Sequence, residues 1–200
     1  MKPTSKLMKR LSLYLFLILF TLPTPSQAND IRDFQIEGMS VGDSLLDYFS
    51  EEDINSHSKY WWKDRKYFMV SKSSPSFEIY GVMQFALKNN DKNYIIQGLS
   101  GKILFEKNIQ NCLKKKNEAI KELSDFFKND IENIENKIES HKYDETGKSK
   151  QHITYINLKS KNTIDIYCED WSEKTKLITN FQVRILNKEF TKYLNYKAYK

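Results

Sequence analysis

Two cysteines, Cys112 and Cys168, constrain this fold more than any other feature of the sequence. They lie in segments of opposite periodicity. Cys112 falls in NIQNCLKKKNEAIKELSDFFKNDIENIENKIES, where Ile109, Leu113, Ile120, Leu123, Phe127, Ile131, Ile134 and Ile138 recur at spacings of three, four or seven. That is the pattern of an amphipathic helix of about 30 residues. Cys168 closes TIDIYC, where Ile164, Ile166 and Cys168 alternate with Asp165 and Tyr167, the pattern of a half-buried strand. Both thiols then face the core, and only one pairing exists. The patterns predict a disulfide, Cys112–Cys168, tying helix to strand. Two free buried thiols are the competing reading. A redox pair calls for C-x-x-C or a basic, exposed setting, and a zinc site for further Cys or His nearby; the sequence has neither.

The expected compartment agrees. Lys2, Lys6, Lys9 and Arg10 precede the apolar run Leu11 to Leu22, then come Pro23, Pro25 and Ser26-Gln27-Ala28. This is the order of a secretory signal peptide cleaved after Ala28, and the run is short for a membrane span of about 20 residues. Membrane contact is therefore expected only through the signal before cleavage; an uncleaved signal anchor is the alternative. No Cys stands near the cleavage site for lipid attachment. Export to the periplasm or medium favours disulfides.

Removing residues 1–28 changes the charge argument. They hold four of the 32 basic residues and none of the 26 acidic ones. The remaining 172 residues carry 28 against 26, too even for a nucleic-acid stripe, so no nucleic-acid partner is expected. The run Lys114-Lys115-Lys116, diluted by Glu118, Glu122 and Asp125, reads as a solvated helix face. The length of 29–200 suits one domain.

Along that domain, DIRDFQIEG (residues 30–38) reads as a short strand and Ser40 to Ser50 as a short helix. KYFMVSK, SFEIYGVMQFALK and NYIIQGLSGKILFE read as strands, with a hairpin at Asn89-Asn90-Asp91-Lys92. After the long helix and a polar connector, HITYINLKS, NTIDIYCEDW and KLITNFQVRILNK read as three more strands, and residues 189–200 as a terminal helix. Strands in runs with helices set apart predict an α+β fold: a mostly antiparallel sheet, one long amphipathic helix on one face, and a short N-terminal helix.

Catalytic motifs are few. Gly42-Asp43-Ser44-Leu45 resembles the motif that names the GDSL serine esterases and lipases, which would make Ser44 a nucleophile. That family also carries a Gly soon after the motif, a Gly-x-Asn-Asp block and a terminal Asp-x-x-His. Here Leu46-Asp47-Tyr48-Phe49 follows, and none of His57, His141 and His152 has Asp three residues before it. Ser44 therefore lacks an assignable base and orienter. The simpler reading makes Ser40 a helix N-cap with Asp43 completing an acidic capping box. No His pair has metal-binding spacing, and each His reads as a lone exposed residue. No phosphate loop is present; Gly98-Leu99-Ser100-Gly101 reads as a bend or bulge. No cofactor, metal or catalytic residue is predicted.

The most unusual stretch is YWWKDRKYF. Tyr60, Trp61, Trp62 and Arg65 are candidates for a ligand or interface patch. Adjacent Trp61 and Trp62 cannot both be buried on one strand face; the plainer alternative is one Trp inside and one shielding an edge.

FQIEGMSVGDSLLDYFSEEDI, YIIQGLSGKILF and the two Cys positions together resemble a group of exported bacterial proteins with no assigned function. Gly38-Met39-Ser40 also resembles the step that opens a helix in small outer-membrane assembly lipoproteins, without their lipobox Cys. The resemblance implies an envelope protein. The expectation is a non-enzymatic binding or interaction domain, with an envelope protein or small ligand as partner. A hydrolase with an unrecognised site, the GDSL type at Ser44 included, is the alternative. Oligomeric state is left open.

Overall fold

The computed structural model describes residues 31–57, 59–106 and 108–198; the expected signal segment lies outside them. The fold is α+β and mostly sheet. Eight strands run antiparallel in the order β1-β2-β3-β4-β8-β7-β6-β5. They are β1 Lys59–Trp61, β2 Tyr67–Lys72, β3 Val82–Lys88, β4 Ile96–Leu104, β5 Ile131–Ser140, β6 Lys150–Leu158, β7 Thr163–Asp170 and β8 Asn180–Leu186. Three α-helices accompany them among the described residues: α1 Glu51–Ser56, α2 Ile109–Phe126 and α3 Lys188–Tyr196. Two four-stranded meanders, β1–β4 and β5–β8, join where β4 lies beside β8. Helix α2 carries the chain from β4 near the sheet's centre to β5 at its far edge, packing across β7 and β8 on the way.

One face of the sheet is apolar because alternate strand residues are. Val70, Phe85, Leu99, Phe181, Ile166 and Ile156 project from successive strands into one core. Leu123 and Phe127 of the α2 segment cover it on one side, and Ile36, Met39, Val41 and Leu45 of the N-terminal segment on the other. Cys112 and Cys168 are both fully buried there and joined by a disulfide, a bond of oxidising compartments.

Helix α2 is shorter than its hydrophobic periodicity predicts. Asn108 caps it by accepting the Asn111 N–H at 3.0 Å, and it stops at Phe126. A turn through Lys128-Asn129-Asp130 follows, in which the Asp130 N–H donates to the Phe127 carbonyl at 2.8 Å. Residues 131–140, expected as the helix's C-terminal half, form β5 and pair with β6 from Ile131↔Leu158 to Ser140↔Lys150. Asn and Asp favour turns over helix interiors, and Ile134 and Ile138 share a strand face as readily as a helix face.

The N-terminal segment also departs from expectation. Of the expected strand at 30–38, the described residues 31–38 form none. Ile31–Asp33 is a single 3-10 turn, and Ile36 and Met39 exchange backbone hydrogen bonds at 2.9 and 3.0 Å around Glu37 and Gly38, both at positive φ. No helix spans 40–50. Gly42 N–H and Asp43 C=O are committed to Ile96, both at 2.9 Å, and Ser44 bridges Ile95, so this stretch is docked on the start of β4. Ser40 is not a helix cap. Its N–H donates to Asp43 Oδ2 at 2.8 Å and its hydroxyl to the Phe34 carbonyl at 3.2 Å. The cap is Ser44, which accepts the Leu46 N–H at 3.2 Å and starts the one-turn helix Leu45–Asp47; Ser50 caps α1.

Two smaller expectations change as well. The bulge expected at 98–101 falls one residue earlier: β4 runs on without a break, but its register with β3 shifts between Ala86↔Gly98 and Leu87↔Ile96, at Gln97, and Gly98 and Gly101 make room. A Cβ at Gly98 would come within 2.8 Å of Leu186, and one at Gly101 within 2.5 Å of the Tyr80 ring. The run 114–116 is not all solvated. Lys116 is only 7% exposed and donates to Thr154 Oγ1 at 2.6 Å; Thr154 in turn donates to Asn136 Oδ1 at 2.6 Å. Burial pulls the Lys116 pKa down.

Candidate functional site

The second face of the sheet carries the other half of each strand alternation. Helix α3 covers one end of it. Asn187 caps α3, accepting the Phe190 N–H at 2.8 Å, and Phe190 and Tyr193 pack against Trp62, Tyr67 and Ala86. The remainder is a groove of about 780 Å³, reaching from α3 to the turn between β5 and β6.

Its floor is polar and built by register. Cross-strand pairing places Ser71, Gln84, Ser100, Arg184, Asp165, Tyr155 and Glu135 in one row. Such directly opposed residues are the contacts through which antiparallel strands interact. Gln84 donates to Ser71 at 3.0 Å and accepts from Ser100 at 3.4 Å; Gln182, from the neighbouring row, donates to Ser100 at 3.1 Å. At the centre Arg184 donates to Asp165 Oδ2 through Nε at 3.0 Å and through Nη2, and Nη2 also donates to the Tyr167 hydroxyl. Asp165 is 3% exposed, whereas the Arg184 side chain keeps 30% of its surface open. The acid is thus sealed beneath a guanidinium that faces the groove. Burial raises the Tyr167 pKa, with Asp165 adding to the rise and Arg184 opposing it; burial raises that of Tyr155.

Charges lining the groove balance. Lys102, Lys137, Lys142 and Arg184 stand against Glu135, Glu139, Asp165 and Glu169. Tyr60, Tyr143 and Tyr155 add aromatic surface at the sides and floor.

The far wall is held by a turn with its own anchor. Asp144 Oδ2 accepts the Ser149 N–H at 2.9 Å and hydroxyls from Ser149 and Ser172 at 2.6 and 2.9 Å, while Oδ1 accepts from Thr146. Hydrogen bonds from Ser149 and Thr146 hold its carboxyl well below the usual carboxylate range. His141, read from sequence as exposed, is 5% exposed and packed against Trp171 with ring centroids 3.9 Å apart and the planes tilted by 47°. Its Nδ1 accepts the Tyr143 N–H at 3.3 Å, leaving the proton of the neutral ring on Nε2, 3.7 Å from Glu169. Burial lowers its pKa, against the pull of Glu169.

The sequence-predicted patch is divided. Tyr60 and Trp62 belong to the groove. Trp61 points to the opposite face, against Phe68 with centroids 4.9 Å apart, and Arg65 lies over Trp61 at 5.7 Å. Trp62 is 6% exposed, and its indole N–H has no hydrogen-bond partner among the described residues. Ser44 stands apart from the groove. Its hydroxyl donates to the Asn93 carbonyl at 2.7 Å, so the proton a nucleophile would surrender to a base is held by a backbone oxygen. Among the described residues no cluster of three or more His, Cys, Asp or Glu is placed to hold a metal, and no helix is long and apolar enough to cross a membrane.

Sequence reasoning did not single out Gln182, Arg184, Asp165, Tyr155 and Tyr167 as a site. Their alternation with apolar residues is visible, but a solvated strand face looks the same; only register brings them into two adjacent rows.

No family model matches the chain, and no curated protein matches it. Among solved structures it is similar to the solution structure of cyanobacterial PsbP (CyanoP) from Synechocystis sp. PCC 6803. The identity is 10%, over 70% of this chain and 84% of that one, with a TM-score of 0.33. A likeness of that size carries no functional inference.

Proposed function

We propose that this is a non-enzymatic binding protein of the bacterial periplasm, formed as one domain by residues 29–200, whose open sheet face holds a neutral, hydroxyl-rich ligand of the saccharide class. The observation that carries this reading is the groove's charge-balanced floor of amides, hydroxyls and paired ions flanked by tyrosines. Sugar hydroxyls both donate and accept, and amide and guanidinium–carboxylate groups offer both roles in fixed planes. Tyrosine rings supply apolar surface for the C–H faces of such a ligand. A net-neutral floor favours a neutral ligand over a polyanion. Ser100 donates to Gln84 and Ser149 to Asp144, so these hydroxyls support the floor and turn; neither is poised on His141.

Calorimetric titration of the exported protein with maltotetraose, cellotetraose and chitotetraose tests the reading. Binding of at least one, without cleavage, is expected, weakened about tenfold or more by Gln182→Ala or Tyr155→Ala, the loss of one good polar or stacking contact. No binding of any of the three, binding indifferent to both substitutions, or release of shorter sugars would overturn it.

A further inference from the structure

Strand β5 ends the sheet, and no described segment pairs with its outer side. We infer that a second copy of this chain does so, joining two sheets through antiparallel β5 edges with the two-fold axis at Asn136. An open edge presents backbone groups to any strand, so the choice of partner has to come from the residues. Antiparallel pairing about Asn136 sets Glu135 opposite the partner copy's Lys137, and Lys137 opposite its Glu135. The same register sets Ile134 opposite Ile138. Only this centre pairs Ile134 with Ile138 and Glu135 with Lys137 together: moving the axis to Glu135 pairs Ile134 with Asn136 and Lys137 with Asn133, moving it to Lys137 pairs Glu135 with Glu139, and moving it to Ile138 opposes Lys137 and Glu139 but sets Ile134 opposite Lys142, past the end of β5.

Backbone direction agrees with that centre. The His141 N–H donates to the Ser149 carbonyl at 2.9 Å, and the ladder below it is regular from Ser140↔Lys150 to Asn133↔Asn157. In an antiparallel ladder such bonding residues alternate. Glu139, Lys137 and Glu135 therefore bond inward to β6, while Ser140, Ile138, Asn136 and Ile134 turn their N–H and C=O groups outward. Pairing about Asn136 joins three outward residues on each copy, about six backbone hydrogen bonds. The side chains are available. Ile138 is 70% and Ile134 41% exposed, on the same face of the sheet as Asn136 and α2, and Lys137 and Glu135, 3.8 Å apart within one copy, are each about half exposed. The edge has no Pro or Gly, and its one irregularity lies at Ile131/Asn133, outside the paired stretch. Two such sheets would bring two grooves side by side, since Glu135, Lys137 and Glu139 line the groove rim.

Sedimentation equilibrium of the exported protein tests this. The wild type is expected to dimerise. Lys137→Glu sets like charges opposite each other twice and should weaken the dimer about tenfold or more, the size of two lost cross-strand pairs. Adding Glu135→Lys to Lys137→Glu restores opposite charges and should restore the dimer. Amide exchange of the unmodified protein provides a second measurement: Ile134, Asn136 and Ile138 should exchange more slowly as concentration rises, while Glu135 and Lys137 stay constant. A monomeric wild type, a dimer indifferent to Lys137→Glu, or a dimer that the double swap fails to restore overturns the pairing.

Discussion

Arg184 and Asp165 are directly paired across β8 and β7, and the carboxylate is buried while the guanidinium faces the groove. The two residues differ in what their loss leaves behind. Arg184→Ala strands a buried carboxylate and should destabilise the fold by about 3 kcal/mol. Asp165→Asn leaves an exposed-side cation and a neutral amide, so it should cost less. Urea unfolding of both variants and the double mutant measures the order; equal costs would contradict it.

The disulfide links α2 to β7 over a sequence separation of 56. Closing a loop of that size should stabilise the fold by about 4 kcal/mol through the unfolded chain. The Cys112→Ala/Cys168→Ala variant should lose roughly this much in chemical denaturation. The intact mass of the native protein should be short by two thiol hydrogens, and two alkylatable thiols would contradict the bond.

Lys116 is buried and donates to the Thr154 hydroxyl, with no carboxylate paired to it among the described residues. Thr154 keeps Asn136 as its own acceptor when Lys116 is removed. Lys116→Met should therefore stabilise the fold by about 1 kcal/mol at pH 7, since it removes a desolvated charge without orphaning Thr154. The folded-state pKa of Lys116 lies below its unfolded value, so wild-type stability should rise with pH as the unfolded ammonium approaches its titration. The Met variant should lack that rise.

His141 gives a second pH dependence, at lower pH. Its folded pKa is depressed by burial, so below about pH 6.5 the unfolded chain binds a proton that the folded chain resists. Stability should fall as pH drops from about 6.5 toward the folded value. Glu169 and Asp144 limit the drop and Lys142 deepens it. Thermal unfolding of His141→Gln should show a flatter profile through that window. Equal slopes for both proteins would contradict the assignment.

Much of the core was legible because it depends on local alternation. Ile164, Ile166 and Cys168 announce one face of β7, and Asn89 to Lys92 announce the β3–β4 turn. The segment 131–140 was not legible, because Ile131, Ile134 and Ile138 satisfy a helical period and what makes them a strand is β6, a partner with its own sequence further along the chain. Asn129-Asp130 was the local signal that the helix had ended. The groove was half legible. Asp165 and Tyr167 could be placed opposite Cys168's face, but their meeting with Arg184 is a matter of register. That one of Trp61 and Trp62 goes inside was legible, but not that it is Trp62, since the α3 residues that cover it lie about 130 positions away.

The central claim is that ligand sits on the open sheet face and leaves unchanged. Backbone amide chemical-shift mapping of the isotope-labelled protein during titration with the neutral tetrasaccharides tests it most directly. The account predicts shifts concentrated at Gln84, Tyr155, Asp165, Tyr167, Gln182 and Arg184, with the sugar intact at the end. Shifts centred on the Ser44 segment, or spectra unchanged at saturating sugar, would contradict it.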